Sequence, residues 1–167
     1  MTDTLATMTP EQIMLLHHQV DQLNAAYAAA LDDKRFDEWP LFFLENGNYK
    51  IQARENFDRK LPLALMALES QAMMKDRVYG ITQTIFHAPY YTRHVLSSCR
   101  ITGVEDNVIF SETNSAVFRT KPGSVSEVYN VGRYIDVIHK KSDRLLFDSR
   151  LCVYDSEMIL NSLIYPV

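Results

Sequence analysis

The stretch Tyr90 to Gly103 reads YYTRHVLSSCRITG and gathers a tyrosine pair, Arg93 beside His94, two serines, and Cys99 beside Arg100. Ser98 with His94 and a carboxylate would make a hydrolytic triad, but the G-x-S-x-G elbow that exposes such a serine is missing. Cys99 as a nucleophile is weaker still, since a thiol on an expected strand is more simply a buried one. His87, His94 and His139 do not assemble into a ligand set: there is no H-E-x-x-H, His17 and His18 point different ways on their helix, and no cysteine shares a short motif with a histidine. Five glycines, at 47, 80, 103, 123 and 132, are too dispersed for G-x-G-x-x-G or Walker A.

Two readings of the remaining side chains survive. Asp37, Tyr49, His94, Tyr134 and Asp136 are the residue types of an isomerase or dehydratase pocket, because buried carboxylates and phenols shift their proton affinities and can donate to a developing oxyanion. Strand parity puts Tyr134 and Asp136 together but does not bring Asp37 near them. Alternatively, Arg93, Arg100, Arg119, Arg133 and Arg150 are spread over several expected strands, where planar guanidinium forks suit ion pairs across an interface. With nine Tyr and eight Phe, an assembly surface becomes credible.

The elements that must position these groups are readable in outline. Thr9, Pro10 and Gln12 write a capping box ahead of a helix from about Glu11 to Asp32, with Leu16, Leu23, Tyr27 and Leu31 on one face. DKRFDEWPLFF reads as a short helix or turn carrying Phe36, Trp39, Phe42 and Phe43, followed by a reversal at Asn46-Gly47 and a strand through Tyr49, Ile51 and Ala53. Residues 55–60 read as a loop or strand edge, and Leu61, Leu65, Leu68 and Ala72 as one face of a second helix. Residues 76–90 suit a strand or an ordered loop. Four β-rich segments follow at 91–103, 107–120, 125–139 and 144–155, separated by VED, KPGS and KKSD. Loops this short require antiparallel neighbours. Within the second segment Val108, Phe110, Ala116 and Phe118 share one parity. The expected architecture is α+β, with helices on the concave face of a curved mixed sheet.

A chain of 167 residues with 47% hydrophobic content suits one domain with a real core. We expect a flexible tail over residues 1–8 and a single domain over 9–167. A net charge of −4 without a Lys/Arg stripe argues against nucleic acid, and no apolar run of about 18 residues is present to span a bilayer. MTDTLATMTP lacks a basic start and an apolar signal core, so the cytoplasm is the simplest location. Cys99 and Cys152 are far apart and outside any C-x-x-C, as reduced core thiols would be.

YYTRHVLSSCRITG, NVGRYIDV and RLCVYDSEMILNSLIYPV, together with EWPLFF, YKI and KDRV in that order, resemble the small (beta) subunit of Rieske-type aromatic-ring-hydroxylating dioxygenases. The resemblance implies a cone of the nuclear-transport-factor and ketosteroid-isomerase type, with N-terminal helices on a strongly curved, mainly antiparallel sheet. It also implies a hexamer of three large and three small subunits. The large subunit would carry the Rieske [2Fe-2S] cluster and a mononuclear non-haem Fe(II), with electrons from NAD(P)H arriving through a reductase and, in some members, a ferredoxin. This chain would hold no cofactor and no catalytic residue, and the similarity lies nearest members acting on aromatic acids. Tyr90, Tyr91, Arg93, His94, Arg100 and Arg133 become candidates for the large-subunit interface. Tyr49, Tyr134 and Asp136 remain pocket candidates for the alternative, a free-standing isomerase, dehydratase or small-ligand binding protein.

Overall fold

The computed structural model describes residues 4–142, 144–156 and 163–167. Residues 1–3 of the expected tail, Asp143 of the KKSD reversal and residues 157–162 of the last motif lie outside the described residues. Thr4–Thr7 forms a short 3-10 helix, and Leu5 and Met8 pack against the core. Helix α1 (Pro10–Asp32) begins with the expected capping box: the Gln12 N–H donates to Thr9 Oγ1 at 3.3 Å, and the Thr9 N–H donates to Gln12 Oε1 at 2.9 Å. Its buried stripe of Leu16, Val20, Asn24, Tyr27 and Leu31 follows helical spacing and includes one amide.

A 3-10 helix (Phe36–Phe42) then buries Phe36, Trp39 and Pro40. Strand β1 (Phe43–Ala53) runs straight through Asn46-Gly47, where a reversal was expected. Gly47 serves a close approach instead: a Cβ there would lie 2.9 Å from the Leu44 carbonyl oxygen and 3.0 Å from that of Phe147, at a register shift between Phe43 and Asn48. Residues expected as a loop or strand edge form helix α2 (Arg54–Asp58).

The helix expected from Leu61 begins only later. Gln52 Nε2 donates to the Leu61 and Leu63 carbonyls at 2.6 and 3.2 Å, Pro62 lacks a donor, and β2 (Met66–Leu68) pairs with β1. Ser70 then caps α3 (Gln71–Tyr79), which runs into a π turn at Gly80–Thr84. The expected strand 91–103 is two strands, β3 (Tyr91–Leu96) and β4 (Arg100–Glu105). The break has a cause: Cys99 N–H donates to Asp21 of α1 at 2.8 Å, pulling the chain out of the ladder between them. Strands β5 (Val108–Thr120), β6 (Glu127–Lys141) and β7 (Arg144–Tyr154) form the antiparallel meander that short loops demand.

The sheet order is β2-β1-β7-β6-β5-β3, with β4 also beside β5 and β1 parallel to β7. This corrects the expectation of a strongly curved cone. The sheet is open: its edges are the three-residue β2 and the β3/β4 pair sharing β5, and they do not meet. Large rings fill the space beneath the helices, with Trp39 5.1 Å from Tyr49 and Tyr27 5.8 Å from Phe147, so the inner face is packed rather than wrapped around a pocket.

The last residue of α1 ties helix to sheet. The Asp32 carboxylate, 4% exposed, accepts from the His94 N–H at 2.9 Å and faces His94 Nδ1 at 2.6 Å, with Arg93 3.7 Å away. Burial would raise the Asp32 pKa, but the His94 bonds outweigh it and hold it below its ordinary 3.8. A depressed carboxyl stabilises the fold above the unfolded value and loses that contribution as pH falls through the folded one. Asp32→Asn is therefore expected to lose on the order of 2 kcal/mol at pH 7. In urea titrations the difference from wild type should shrink below about pH 4; a pH-independent difference would contradict this role.

Candidate functional site

At the centre of the inner face the register sets Asp136 on β6 opposite Arg150 on β7. Arg150 Nε and Nη2 donate to the two carboxylate oxygens at 2.9 and 2.8 Å, a bidentate pair with neither residue more than 1% exposed. Arg150 also donates to Asn24 Oδ1, and Asn24 Nδ2 donates to Thr113 Oγ1 at 3.2 Å. Three rings enclose the guanidinium: Phe147 at 3.9 Å, and Tyr27 and Tyr134 each at 4.2 Å. Burial pushes the Asp136 carboxyl up while Arg150 pulls it down, and the two-pronged geometry favours the ionised pair. Burial also holds Tyr134 and Tyr49 well above the ordinary phenol value, so both stay protonated.

The pocket candidates are therefore sealed groups. Both Asp136 oxygens are engaged by Arg150, Tyr134 is packed over the same guanidinium, and Tyr49 bonds the Val167 main chain. Asp37 lies on the 3-10 helix, exposed, outside this cluster. Sequence reasoning grouped Arg150 with the surface arginines and missed its partner. The available signal was weak: counting back from Lys141↔Arg144 would set Asp136 against Ser149, and only the shift between Val137 and Ile138 brings Arg150 opposite.

The interface candidates divide by strand alternation. On β3, Tyr91 (63% exposed), Arg93 and Val95 (54%) face outward, while Thr92 and His94 face in. Lys34 lies 5.1 Å over the Tyr91 ring. Tyr90 is buried, with its ring 4.4 Å from Tyr165. Arg100 is exposed and paired with Glu112 at 2.7 Å, whereas Arg133 is half-buried 5.6 Å over Phe57 of α2. Arg119 is buried against Glu127 at 2.6 Å. Between α1 and β3 a groove of about 450 Å³ is lined by Asp21, Asp32, Arg93, His94 and Ser97.

The outer face of the sheet is the larger feature. The apolar parity of β5 marked by Val108, Phe110, Ala116 and Phe118 points away from the helices and is half-exposed, while the opposite parity carries buried Ser111, Thr113, Ser115 and Arg119. Val128 (55% exposed) and Val131 (39%) on β6 continue that apolar surface towards Val95.

Both thiols are free and buried. Burial pushes Cys99 and Cys152 each up to about 12. Among the described residues no three of His, Cys, Asp and Glu gather as a metal site. Removing one member of the buried pair leaves an uncompensated charge: Arg150→Met is expected to cost about 3–5 kcal/mol in chemical denaturation. Arg150→Met with Asp136→Leu should recover much of that loss; equal losses in the single and double variants would contradict the pairing.

The family model described as the ring hydroxylating beta subunit matches residues 26–161. The anthranilate 1,2-dioxygenase small subunit of Burkholderia cepacia is 29% identical over 149 residues, covering 89% of this chain and 92% of that protein. A beta subunit of the terephthalate 1,2-dioxygenase terminal oxygenase component of Comamonas is 27% identical, covering 86% and 93%. A solved Novosphingobium aromaticivorans chain, assigned as the beta subunit of an aromatic-ring-hydroxylating dioxygenase, superposes with a TM-score of 0.85 at 33% identity, covering 93% of this chain and 99% of that one. With a match over most of its length, and a fold shared with that solved relative, the chain belongs to the ring-hydroxylating beta subunit family.

Proposed function

We propose that this chain is the non-catalytic small subunit of a multicomponent oxygenase that hydroxylates an aromatic acid, and that it supports a larger catalytic chain through its outer sheet face and the β3 edge. The observation that carries this reading is the family match over residues 26–161, and the sealed interior agrees with it. Membership of a beta-subunit family implies a larger partner. The choice of an aromatic acid rests on the relatives that act on anthranilate and terephthalate.

In this proposal the partner holds the Rieske cluster and the non-haem Fe(II), electrons come from NAD(P)H through a reductase, and the assembly is three plus three. Tyr91, Arg93 and Arg100 stand exposed at the strand edge, where a partner would meet them. Tyr90 and His94 would act by seating that edge, Tyr90 through its ring contact with Tyr165 and His94 through Asp32, while Arg133 on β6 packs over Phe57 of α2. The apolar surface of Val95, Val128 and Val131 is suited to the dry centre of such an interface.

Co-expression with a large Rieske oxygenase chain tests the proposal by native mass, iron content and ring hydroxylation. Val128→Asp places a charge in the dry centre and is expected to weaken association by at least about 2 kcal/mol, roughly thirtyfold. Arg93→Ala should weaken it as well, by an amount set by whether its partner charge is buried. Both variants should melt within about 2 °C of wild type as isolated chains, because surface substitutions change stability little. Unchanged assembly in both, or turnover by the small chain alone, would contradict the proposal.

A further inference from the structure

Ten arginines occur in the chain, and nine of them are engaged within it. Arg35, Arg54, Arg59, Arg93, Arg100, Arg119 and Arg150 pair with carboxylates, Arg77 donates to main-chain carbonyls, and Arg133 lies over Phe57. Arg144, at the tip of the β6–β7 hairpin, is the exception. Among the described residues its exposed guanidinium has no carboxylate, carbonyl or ring partner. The Lys140 ammonium, on the facing strand of the same hairpin, is exposed and has no ion pair among them either.

Both cations border a groove of about 550 Å³ between the hairpin tip and α1, with Gln19, Gln22 and Leu23 on the helix wall and Leu145 beside Arg144 on the other. Helical spacing sets those three α1 residues on one side. No described carboxylate lines the groove, in a chain whose formal charge is −4. Two uncompensated cations in a concave, low-dielectric setting focus a positive field on its interior. A guanidinium fork matches the oxygens of a carboxylate or phosphate, an ammonium adds a point charge, and the glutamine amides can donate to whatever oxygens remain. Leu23 and Leu145 are half-buried and form an apolar floor. The volume falls within the range of small-molecule sites. We propose that this groove binds a small organic anion, its carboxylate or phosphate head between Lys140 and Arg144 and its apolar body against Leu23 and Leu145. Lys140 is nine residues along β6 from Val131, about 30 Å, so the site is separate from the outer face assigned to assembly and does not depend on that assignment.

Amide NMR titrations of the full-length chain with benzoate, phenyl phosphate and inorganic phosphate, at constant ionic strength, test the assignment. Benzoate or phenyl phosphate is expected to shift the Gln22 and Leu145 amides saturably, and the tighter of the two identifies the head group. Inorganic phosphate should bind at least about tenfold more weakly than phenyl phosphate, because it leaves the apolar floor in water. Arg144→Gln and Lys140→Gln should each weaken the preferred probe at least about tenfold, as the loss of a charge-assisted hydrogen bond would, while Lys75→Gln on α3 leaves its Kd unchanged. All three side chains are exposed, so the variants should melt within about 2 °C of wild type. Shifts that grow without saturation for both organic probes, equal affinity for inorganic and phenyl phosphate, or an unchanged Kd in Arg144→Gln would overturn the proposal.

Discussion

The bidentate pair of Arg150 and Asp136 is the constraint around which the interior is arranged. Two full charges removed from water are tolerable only with good geometry and with further hydrogen bonds around them, which here reach Arg150 Nε and Nη2 but leave Nη1 without an acceptor. That requirement reaches outward. Asn24 must sit on the buried stripe of α1 to take an arginine N–H, Thr113 must sit inward on β5 to accept from Asn24, and three rings must close over the guanidinium. A single register error between β6 and β7 would separate the charges. The pair therefore acts as a register pin for the central strands as well as an anchor for the first helix.

A core organised in this way leaves little room for chemistry. The carboxylate that a dehydratase reading needs is engaged at both oxygens, and the phenols beside it are buried and protonated. The same architecture leaves the far side of the sheet uncovered over β5 and β6, where valines stand exposed. One face is closed by helices and the other is apolar at its surface. In the proposed supporting role the inner face is spent on the chain's own stability and the outer face is left for a larger chain.

Parts of this organisation were legible in residues taken alone. The helix start was written in Thr9, Pro10 and Gln12, because capping is satisfied within four residues and owes nothing to distant strands. Antiparallel order in the final strands followed from loop length. The errors share one cause, which is dependence on a partner far away in sequence. Asn46-Gly47 looks like a hairpin turn, but Gly47 exists to admit Phe147 of β7. Leu61 to Ala72 has helical spacing, yet Gln52 and β1 claim its first half. Strand 91–103 was broken by Asp21 from α1.

What the sequence determined by itself was the α+β order, the single core and the family, since these rest on local periodicity, short loops and the order of motifs. Only the tertiary structure decided which apolar face of β5 looks outward, that the sheet stays open, and that Arg150 belongs to Asp136 rather than to a surface. Side chains alternate on a strand with a period of two, so one extra residue on β7, Asp148 between the partners of Ile138 and Val137, changes which residues meet. Such a shift leaves no mark on composition or spacing, and it becomes visible only when both strands are in place.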